Sequence, residues 1–226
     1  MEKLSRRLRQ VAGFVPQGAR LLDVGSDHAY LPLYLLEQGA ISHAIAGEVV
    51  DGPYQSALKN AQNSPFTAQL EVRLADGLAA FAPADAIDTI TICGMGGRLI
   101  ASILDNGRAK LEGVTRLVLQ PNNREDELRN WLSRAGYAIL VEEILEEQGK
   151  IYEIIVAERG QQDLSDLDLR FGPFLRQDKS PVFVTKWEKE LKQLEQALAG
   201  IPDHHEEARS AIAQKIQAIK EVLHES

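Results

Sequence analysis

Residues 21–30, LLDVGSDHAY, constrain this chain more than any other stretch. Leu21 and Leu22 read as a buried strand, Gly25 as a tight turn, and the apolar run after Tyr30 as a helix with Pro32 in its first turn. Glycine permits a turn that a side chain would block, and proline suits a first helical turn, where its missing N–H is no loss. Such a strand, turn and helix open a parallel α/β sheet and set polar groups at its carboxyl edge. A phosphate cradle wants G-x-G-x-x-G, and this turn is different. Asp23 and Asp27 flank Gly25 and Ser26 with two carboxylates, which repel a pyrophosphate and attract a cation. S-adenosylmethionine (SAM), with its sulfonium and ammonium groups, suits the turn better than NAD does. From this stretch alone, another Rossmann-like enzyme stays open.

The pattern then repeats. Ser42 to Glu48 reads as a strand ending in an acid, with Val49 next to it, and Glu48 lies 23 residues beyond Gly25. An acid at about that distance binds a ribose diol in nucleotide-binding α/β folds; a solvent-exposed strand end is the alternative. Asp51-Gly52-Pro53 opens a helix with Ala57, Leu58 and Ala61 inward. Phe66 to Ala75 holds a strand in which Leu70, Val72 and Leu74 alternate, and Asp76-Gly77 follows, where Asp76 can accept from an adenine amino group. Ala86 to Cys93 is a β-branched strand running into Gly94-Met95-Gly96-Gly97, a turn that lets a ligand approach the backbone closely. Cys93 reads as a small core residue, because no histidine or lysine is adjacent to activate it. Thr115 to Leu119 leads to Gln120-Pro121-Asn122-Asn123, whose amides either pair with a base edge or cap the following helix. That helix has Leu128, Trp131 and Leu132 on its apolar face. Ala138 to Ile144 and Ile151 to Ala157 are two strands joined by the acidic turn EEQGK. Five strands alternating with helices and closing on an antiparallel pair form a doubly wound α/β sheet.

The two ends of the chain differ from its middle. Residues 1–15 read as an amphipathic helix with Leu4, Leu8 and Val11 on one face and Lys3, Arg6, Arg7 and Arg9 on the others. Those cations are either a local basic patch or a solvated face. Gly160 to Ser180 has little periodicity and reads as a tethering linker. Ser180-Pro181 starts a helix with a seam of Val184, Trp187, Leu191, Leu194 and Leu198. A turn at Gly200-Ile201-Pro202 leads to a second seam of Ala208, Ile212, Ile216, Ile219 and Leu223. The two predict an antiparallel coiled-coil hairpin with arms of roughly 25–35 Å. The expected organisation is therefore a SAM-binding domain over 1–160, a linker over 161–180 and a helical hairpin over 181–226. In 226 residues there is one cysteine, so no internal disulfide forms and a reducing cytoplasm fits. No signal peptide, membrane span or metal-spaced His/Cys set is visible, and no metal is expected. A net charge of −8 argues against a generic nucleic-acid coat, though not against a local basic patch.

The runs LLDVGSDHAYLP, AGEVVDGPYQSA, RLADGL, ITICGMGGRLI, LVLQPNNREDELRNWL and GKIYEIIVAE together resemble the bacterial tRNA (adenine-22-N1)-methyltransferase family, TrmK, from the N-terminus to about Gly160. The hairpin also fits that family. The resemblance implies a class I SAM-dependent methyltransferase fold, Rossmann-like and mostly parallel with an antiparallel edge strand. It also implies SAM as methyl donor and 1-methyladenosine in the tRNA D-arm as product. Adenine amino-methyltransferases carry an Asn/Asp-Pro-Pro-Tyr/Phe turn after the fourth strand, where this chain has Cys93-Gly94-Met95-Gly96. The loss suits attack by a ring nitrogen, because N1 has an in-plane lone pair and needs no strong base.

On this reading the cofactor meets Asp23, Gly25, Ser26, Asp27, Glu48, Val49, Asp76, Gly77, Cys93, Gly94, Met95 and Gly96. Asp27 or His28 orients the base amino group or takes a proton from the product, and Gln120 and Asn122 contact the base edge. His28 as a purely structural turn residue is the alternative. Tyr30 offers a stacking surface. Lys3, Arg6, Arg7 and Arg9, with Lys186, Lys189 and Lys192 on one face of the hairpin, are candidate tRNA contacts. The expected form is a cytoplasmic monomer or weak homodimer. Competing functions are methylation of another RNA, and a non-enzymatic SAM-binding protein whose hairpin recruits a partner.

Overall fold

Strands buried on both faces set the architecture. In the computed structural model, residues 4–224 are described. After helix α1 (Arg6–Gly13) come β1 (Ala19–Val24), α2 (Tyr30–Glu37), β2 (Ile41–Glu48), α3 (Asp51–Gln62), β3 (Leu70–Leu74), β4 (Thr89–Met95), α4 (Gly97–Asn106), β5 (Arg116–Pro121) and α5 (Glu125–Ala135). The hairpin β6 (Tyr137–Glu147) and β7 (Lys150–Arg159) completes a seven-stranded sheet of order β3-β2-β1-β4-β5-β7-β6. The first five strands of that order pair in parallel, and β7 runs antiparallel to both β5 and β6. Successive residues feed opposite cores. Leu21 and Val118 join the layer under α1, α2 and α3, while Leu22, Leu117 and Leu119 join the layer under α4 and α5. Helices on both faces explain why these strands read as continuous apolar runs. The strand order reverses between β1 and β4, and a crevice opens at the carboxyl ends there. The expected Rossmann-like sheet is present, with its antiparallel edge. Among the described residues, no helix is long and apolar enough to cross a membrane.

Local expectations fail where tertiary contacts extend or break an element. The EEQGK segment is not a five-residue turn. β6 and β7 continue through it to a two-residue turn at Gln148 and Gly149, whose φ values of 53° and 75° are the positive pair a type I′ hairpin requires. In β3, Leu74 is exposed and does not continue the inward alternation. Basic residues at the N-terminus sit on a helix beginning at Arg6, with Ser5 Oγ accepting from Leu8 N; Lys3 lies outside the described residues.

The segment expected to be a tether is folded. Residues 161–180 hold α6 (Asp166–Phe171) and α7 (Leu175–Asp178), and they lead into α8 (Pro181–Gly200) and α9 (Glu206–His224). Phe171 and Leu175 are buried with Ile144 of β6, Phe183 and Trp187 of α8, and Ile219 and Val222 of α9. The seam of α8 and α9 is therefore buried at its base, through Phe183 and Val222 where Val184 and Leu223 were expected. Farther out, Leu191, Leu194, Leu198 and Ile212 are only half-buried, and Ala208 is exposed. A buried ion network secures the joint. Arg129 on α5, 0 % exposed, donates to Glu142 on β6 at 2.7 Å, to Glu153 on β7 at 2.5 Å and to the carbonyl of Leu169. Glu142 also accepts from Phe174 N. Lys186 on α8 bonds Glu153 at 2.6 Å and Glu125 at 2.9 Å. Lys186 is thus held by two carboxylates in the joint, and it also lines the crevice cavity beside Lys189. Gly172 is required here: its φ is +85°, and a Cβ would stand 2.6 Å from Glu142 Oε2.

Removing Arg129 leaves Glu142 buried without a cation and Glu153 with Lys186 alone. Arg129→Met should lose about 3–5 kcal/mol of unfolding free energy. The deficit should narrow as pH falls, because protonation neutralises these acids. Chemical denaturation at pH 7.5 and pH 5 measures this, and a deficit independent of pH would contradict the account.

Candidate functional site

Asp23 is the last polar residue before the β1 turn, and packing has taken it out of water. It is 3 % exposed and pairs across β1 and β4 with Thr91, whose Oγ1 donates to Oδ1 at 2.5 Å, while Ser26 Oγ donates to Oδ2 at 2.6 Å. Burial pushes its carboxyl up to about 6, against the lowering effect of those two hydroxyls. No cation pairs with it among the described residues, yet it faces a cavity of about 900 Å³ at the crevice.

The turn beyond it is strained. Asp27, His28 and Ala29 have φ values of 41°, 65° and 59°, three consecutive left-handed residues without a glycine, a conformation that is costly at each position. Two side chains hold it. Glu48 Oε1 accepts from Asp27 N at 2.7 Å, and Asn60 Nδ2 donates to the carbonyl of His28 at 2.9 Å. Burial raises the Glu48 carboxyl above its ordinary value, with the Asp27 N–H bond opposing the rise. Asp27 lines the cavity. His28 stacks on Tyr30 with ring centroids 5.1 Å apart, and its Nε2 stands 3.5 Å from Asp27 Oδ1. Neither His28 nor Tyr30 lines the cavity, and His28 covers one face of the Tyr30 ring.

The β4 and β5 turns are knitted to each other. Gly94 N donates to Gln120 Oε1 at 3.1 Å, Asn122 Nδ2 donates to Gly94 O at 2.7 Å, and Asn122 N donates to Met95 O at 2.8 Å. Gln120 is 0 % exposed, and its Nε2 donates to Pro121 O and Asn122 Oδ1. Every polar atom of this amide is engaged, so Gln120 does not reach a base edge and instead holds the turn. Arg7 donates to the same Gln120 oxygen. Asn122 remains exposed and lines the cavity with Cys93, Gly94 and Met95. Burial pushes the Cys93 thiol far up, and the nearby Asp23 charge adds to the rise. A thiol held neutral in this way is no nucleophile, although it is half-buried and lines the cavity.

The remaining expected contacts are distributed as follows. Gly25 and Ser26 line the cavity. Glu48, Val49, Asp76, Gly77 and Gly96 stand outside its lining on the adjacent strand ends. Glu48 pairs with Leu74, and its carbonyl accepts from Ala75 N, so the two acidic ends lie side by side. Val49 is 63 % exposed there. Lys189 lines the cavity, and Lys192, Arg6 and Arg9 are exposed. The sequence reading missed Leu8, Leu31, Gly149, Lys150, Ile151, Tyr152, Glu190 and Gln193 in the lining. Only the run GKIY carried a trace of them, as a glycine beside a cation and an aromatic.

This chemistry fits SAM on its own terms. A buried carboxylate with no cation partner among the described residues faces the cavity beside two turns, at Gly25 and Gly94, with φ of +67° and +75°. An ammonium group would satisfy the carboxylate, and the turns expose backbone.

Comparisons with known proteins agree. The profile of the tRNA (adenine(22)-N(1))-methyltransferase family, TrmK, matches residues 21–221. The tRNA (adenine(22)-N(1))-methyltransferase of Bacillus subtilis is 41% identical over 232 residues, covering 98% of this chain and 97% of that protein. A Streptococcus pneumoniae protein crystallised with S-adenosyl-L-methionine superposes with a TM-score of 0.93 at 59% identity, covering 98% of this chain and 100% of the other. TrmK of M. capricolum, solved with S-adenosyl-homocysteine, gives a TM-score of 0.88 at 28% identity, with 96% of each chain covered.

Asp23 also has a stability signature in the ligand-free protein. Its folded value lies above its unfolded one. Its contribution is therefore fully present below about pH 4 and is lost as pH rises through about 6. The loss is on the order of 3 kcal/mol. Asp23→Asn, neutral and of the same shape, should be more stable than the parent at pH 7.5, with the gap closing near pH 4. Urea denaturation at both values measures it; an Asn variant less stable at pH 7.5 would refute the burial argument.

Proposed function

The chain belongs to the TrmK family of tRNA (adenine(22)-N(1))-methyltransferases, and from that premise we propose that the crevice over β1 and β4 methylates N1 of adenine 22 in the D-arm of tRNA. The enzyme is SAM-dependent. When bound, SAM would supply a methyl group on a positively charged sulfur; the in-plane lone pair of N1 could accept it without a general base as the carbon–sulfur bond breaks, leaving the neutral thioether and passing the positive charge to the base.

The single observation that carries the placement is Asp23, a buried carboxylate facing the cavity with no cation partner among the described residues. It would accept the ammonium group of SAM, which returns to the carboxylate the partner that burial denies it. Glu48 would use its second oxygen on the ribose hydroxyls while its first holds Asp27 N. Val49, apolar and exposed next to Glu48, and Asp76 on the neighbouring strand end would meet the adenine ring and its amino group. Gly94, Met95 and Gly96 present backbone where the methyl group is transferred, and Asn122 and Asp27 are the polar side chains beside it that can orient the target base. Holding two reactants at attack distance accounts for several kcal/mol of a barrier. No covalent nucleophile is needed, and Cys93→Ser should keep its activity.

Incubation with labelled SAM and total tRNA, followed by nucleoside analysis, should yield 1-methyladenosine; labelling of another RNA, or SAM binding without transfer, would replace this reading. Asp23→Ala and Glu48→Ala should each weaken SAM binding roughly ten- to hundredfold, the worth of a charge-assisted hydrogen bond. The parent protein should bind SAM about tenfold more weakly at pH 5 than at pH 7.5, because Asp23 is protonated below about 6 in the free enzyme. Calorimetry across that range decides it, and a flat profile would remove Asp23 from the ammonium site.

A further inference from the structure

The cavity has two halves of different origin. One is the carboxyl edge of β1 and β4, which any cofactor-binding α/β unit supplies. The other is built by α1, the β6–β7 turn and α8, and carries Arg7, Lys150, Lys186 and Lys189 against one acid, Glu190, which Arg170 pairs at 3.3 Å; Tyr152 and Gln193 complete it. A cationic cofactor gains nothing from a half that carries Arg7, Lys150 and Lys189. A polyanion does. The halves meet at Gly94, where a Cβ would stand 3.8 Å from Arg7 Nη1.

Arg7 is not a loose surface cation. Glu147 of β6 accepts from Arg6 N at 2.6 Å and Arg7 N at 3.3 Å, which docks the first turn of α1 on the strand hairpin. The Arg7 guanidinium bonds Gln120 Oε1, and its carbon lies 5.3 Å from the centroid of the Tyr152 ring. The buried Gln120 thus fixes the Gly94 backbone and the Arg7 plane from one oxygen. Fixed guanidinium planes and aromatic rings are surfaces on which extruded bases stack. Lys150 and Lys189 are exposed at the rim, as point charges that meet phosphate without demanding a geometry.

We propose that this half receives the target nucleotide extruded from tRNA, its base stacked on the Arg7 guanidinium, which Tyr152 backs, and its flanking phosphates met by Lys150 and Lys189. The assignment rests on the methyltransferase reading above and identifies its substrate subsite. Arg7 becomes a base contact, distinct from the peripheral cations Arg6 and Arg9 on the same helix. The order Tyr152, Arg7, base places the adenine beside Gly94, at the boundary with the cofactor half.

The test uses the full chain and tRNA transcripts carrying 2-aminopurine at the target position, whose fluorescence rises when the base leaves its stack. Arg7→Lys keeps the charge and loses the plane; Tyr152→Leu removes the backing ring. Each should lower kcat/KM for unmodified tRNA about tenfold or more and shrink the fluorescence rise, while SAM affinity and the salt dependence of tRNA binding hold. Lys150→Ala with Lys189→Ala should instead flatten the slope of log affinity against log salt by about 1.5 units. An Arg7→Lys enzyme with parental kcat/KM and full fluorescence makes Arg7 a point charge and overturns the stack. Equal loss of SAM affinity in that variant assigns Arg7 to the cofactor half and also overturns it. An unchanged salt slope in the double lysine variant removes the phosphate contacts. A parent protein that binds SAM and forms no 1-methyladenosine sinks the methyltransferase reading itself, whereas an active parent with unaffected variants sinks only the subsite.

Discussion

A carboxylate kept from water, with no cation partner among the described residues, is the condition around which the crevice is built. Asp23 lies where β1 meets β4, and the parallel register that buries it also brings Thr91 opposite. Two hydroxyls make its charged form bearable without making it comfortable. The strain next door follows the same logic. Three left-handed residues persist after Ser26 because Glu48 and Asn60, from β2 and α3, hold that backbone from outside. Free energy is thus withheld from the empty fold at the point where a cationic ligand can restore it. Such a trade between stability and binding is common at functional sites.

The second requirement is a rigid third wall. A parallel α/β sheet offers a crevice but no cover, and here the cover comes from α1, the β6–β7 turn and α8. Glu147 docks α1 through two backbone N–H groups, and charged pairs in the joint set the hairpin and α8. Arg129 ties α5 to both strands of the hairpin, and Lys186 ties α8 to Glu153 and Glu125. Buried ion pairs contribute little net stability over an apolar replacement, but a broken one is costly, so they serve orientation well. Burial raises the Glu142 carboxyl, whereas Arg129 and Lys186 together hold that of Glu153 below its ordinary value despite its burial. The joint is thus strongest at Glu153, where two cations converge from two different helices. The C-terminal hairpin is therefore a fixed part of the cavity wall through Lys189 and Gln193, and only its outer turns stand clear of the sheet.

Legibility followed the range of the forces. The β1 turn was readable because its determinants sit within a few residues: two leucines, a glycine with positive φ, and a proline in the next helix. The alternation of strands and helices, the acid closing β2 and the glycines closing β4 were readable for the same reason. Residues 161–180 were not. Phe171 and Leu175 carry no period of their own, and their burial comes from Ile144, Trp187 and Ile219, which are distant in the chain. The partners of Gln120 and Lys186 were not readable because a polar side chain near a strand end, or on a helix face, looks the same whether solvent or a buried partner receives it.

The sequence by itself determined the doubly wound sheet and the acidic glycine turn, because periodicity and turn chemistry act between neighbours in the chain, while the family came from the resemblance of its ordered motif runs. Only the tertiary structure decided that Gln120 is internal, that Lys186 is held in a joint, and that Arg7 and Tyr152 share a wall with Gly94. Those outcomes depend on distances between residues far apart in the chain, with separations of 33 and 61 for Lys186 and its two carboxylates and of 113 for Arg7 and Gln120. The free energy of a buried polar group depends on which partner packing brings to it, and that partner is absent from the local sequence.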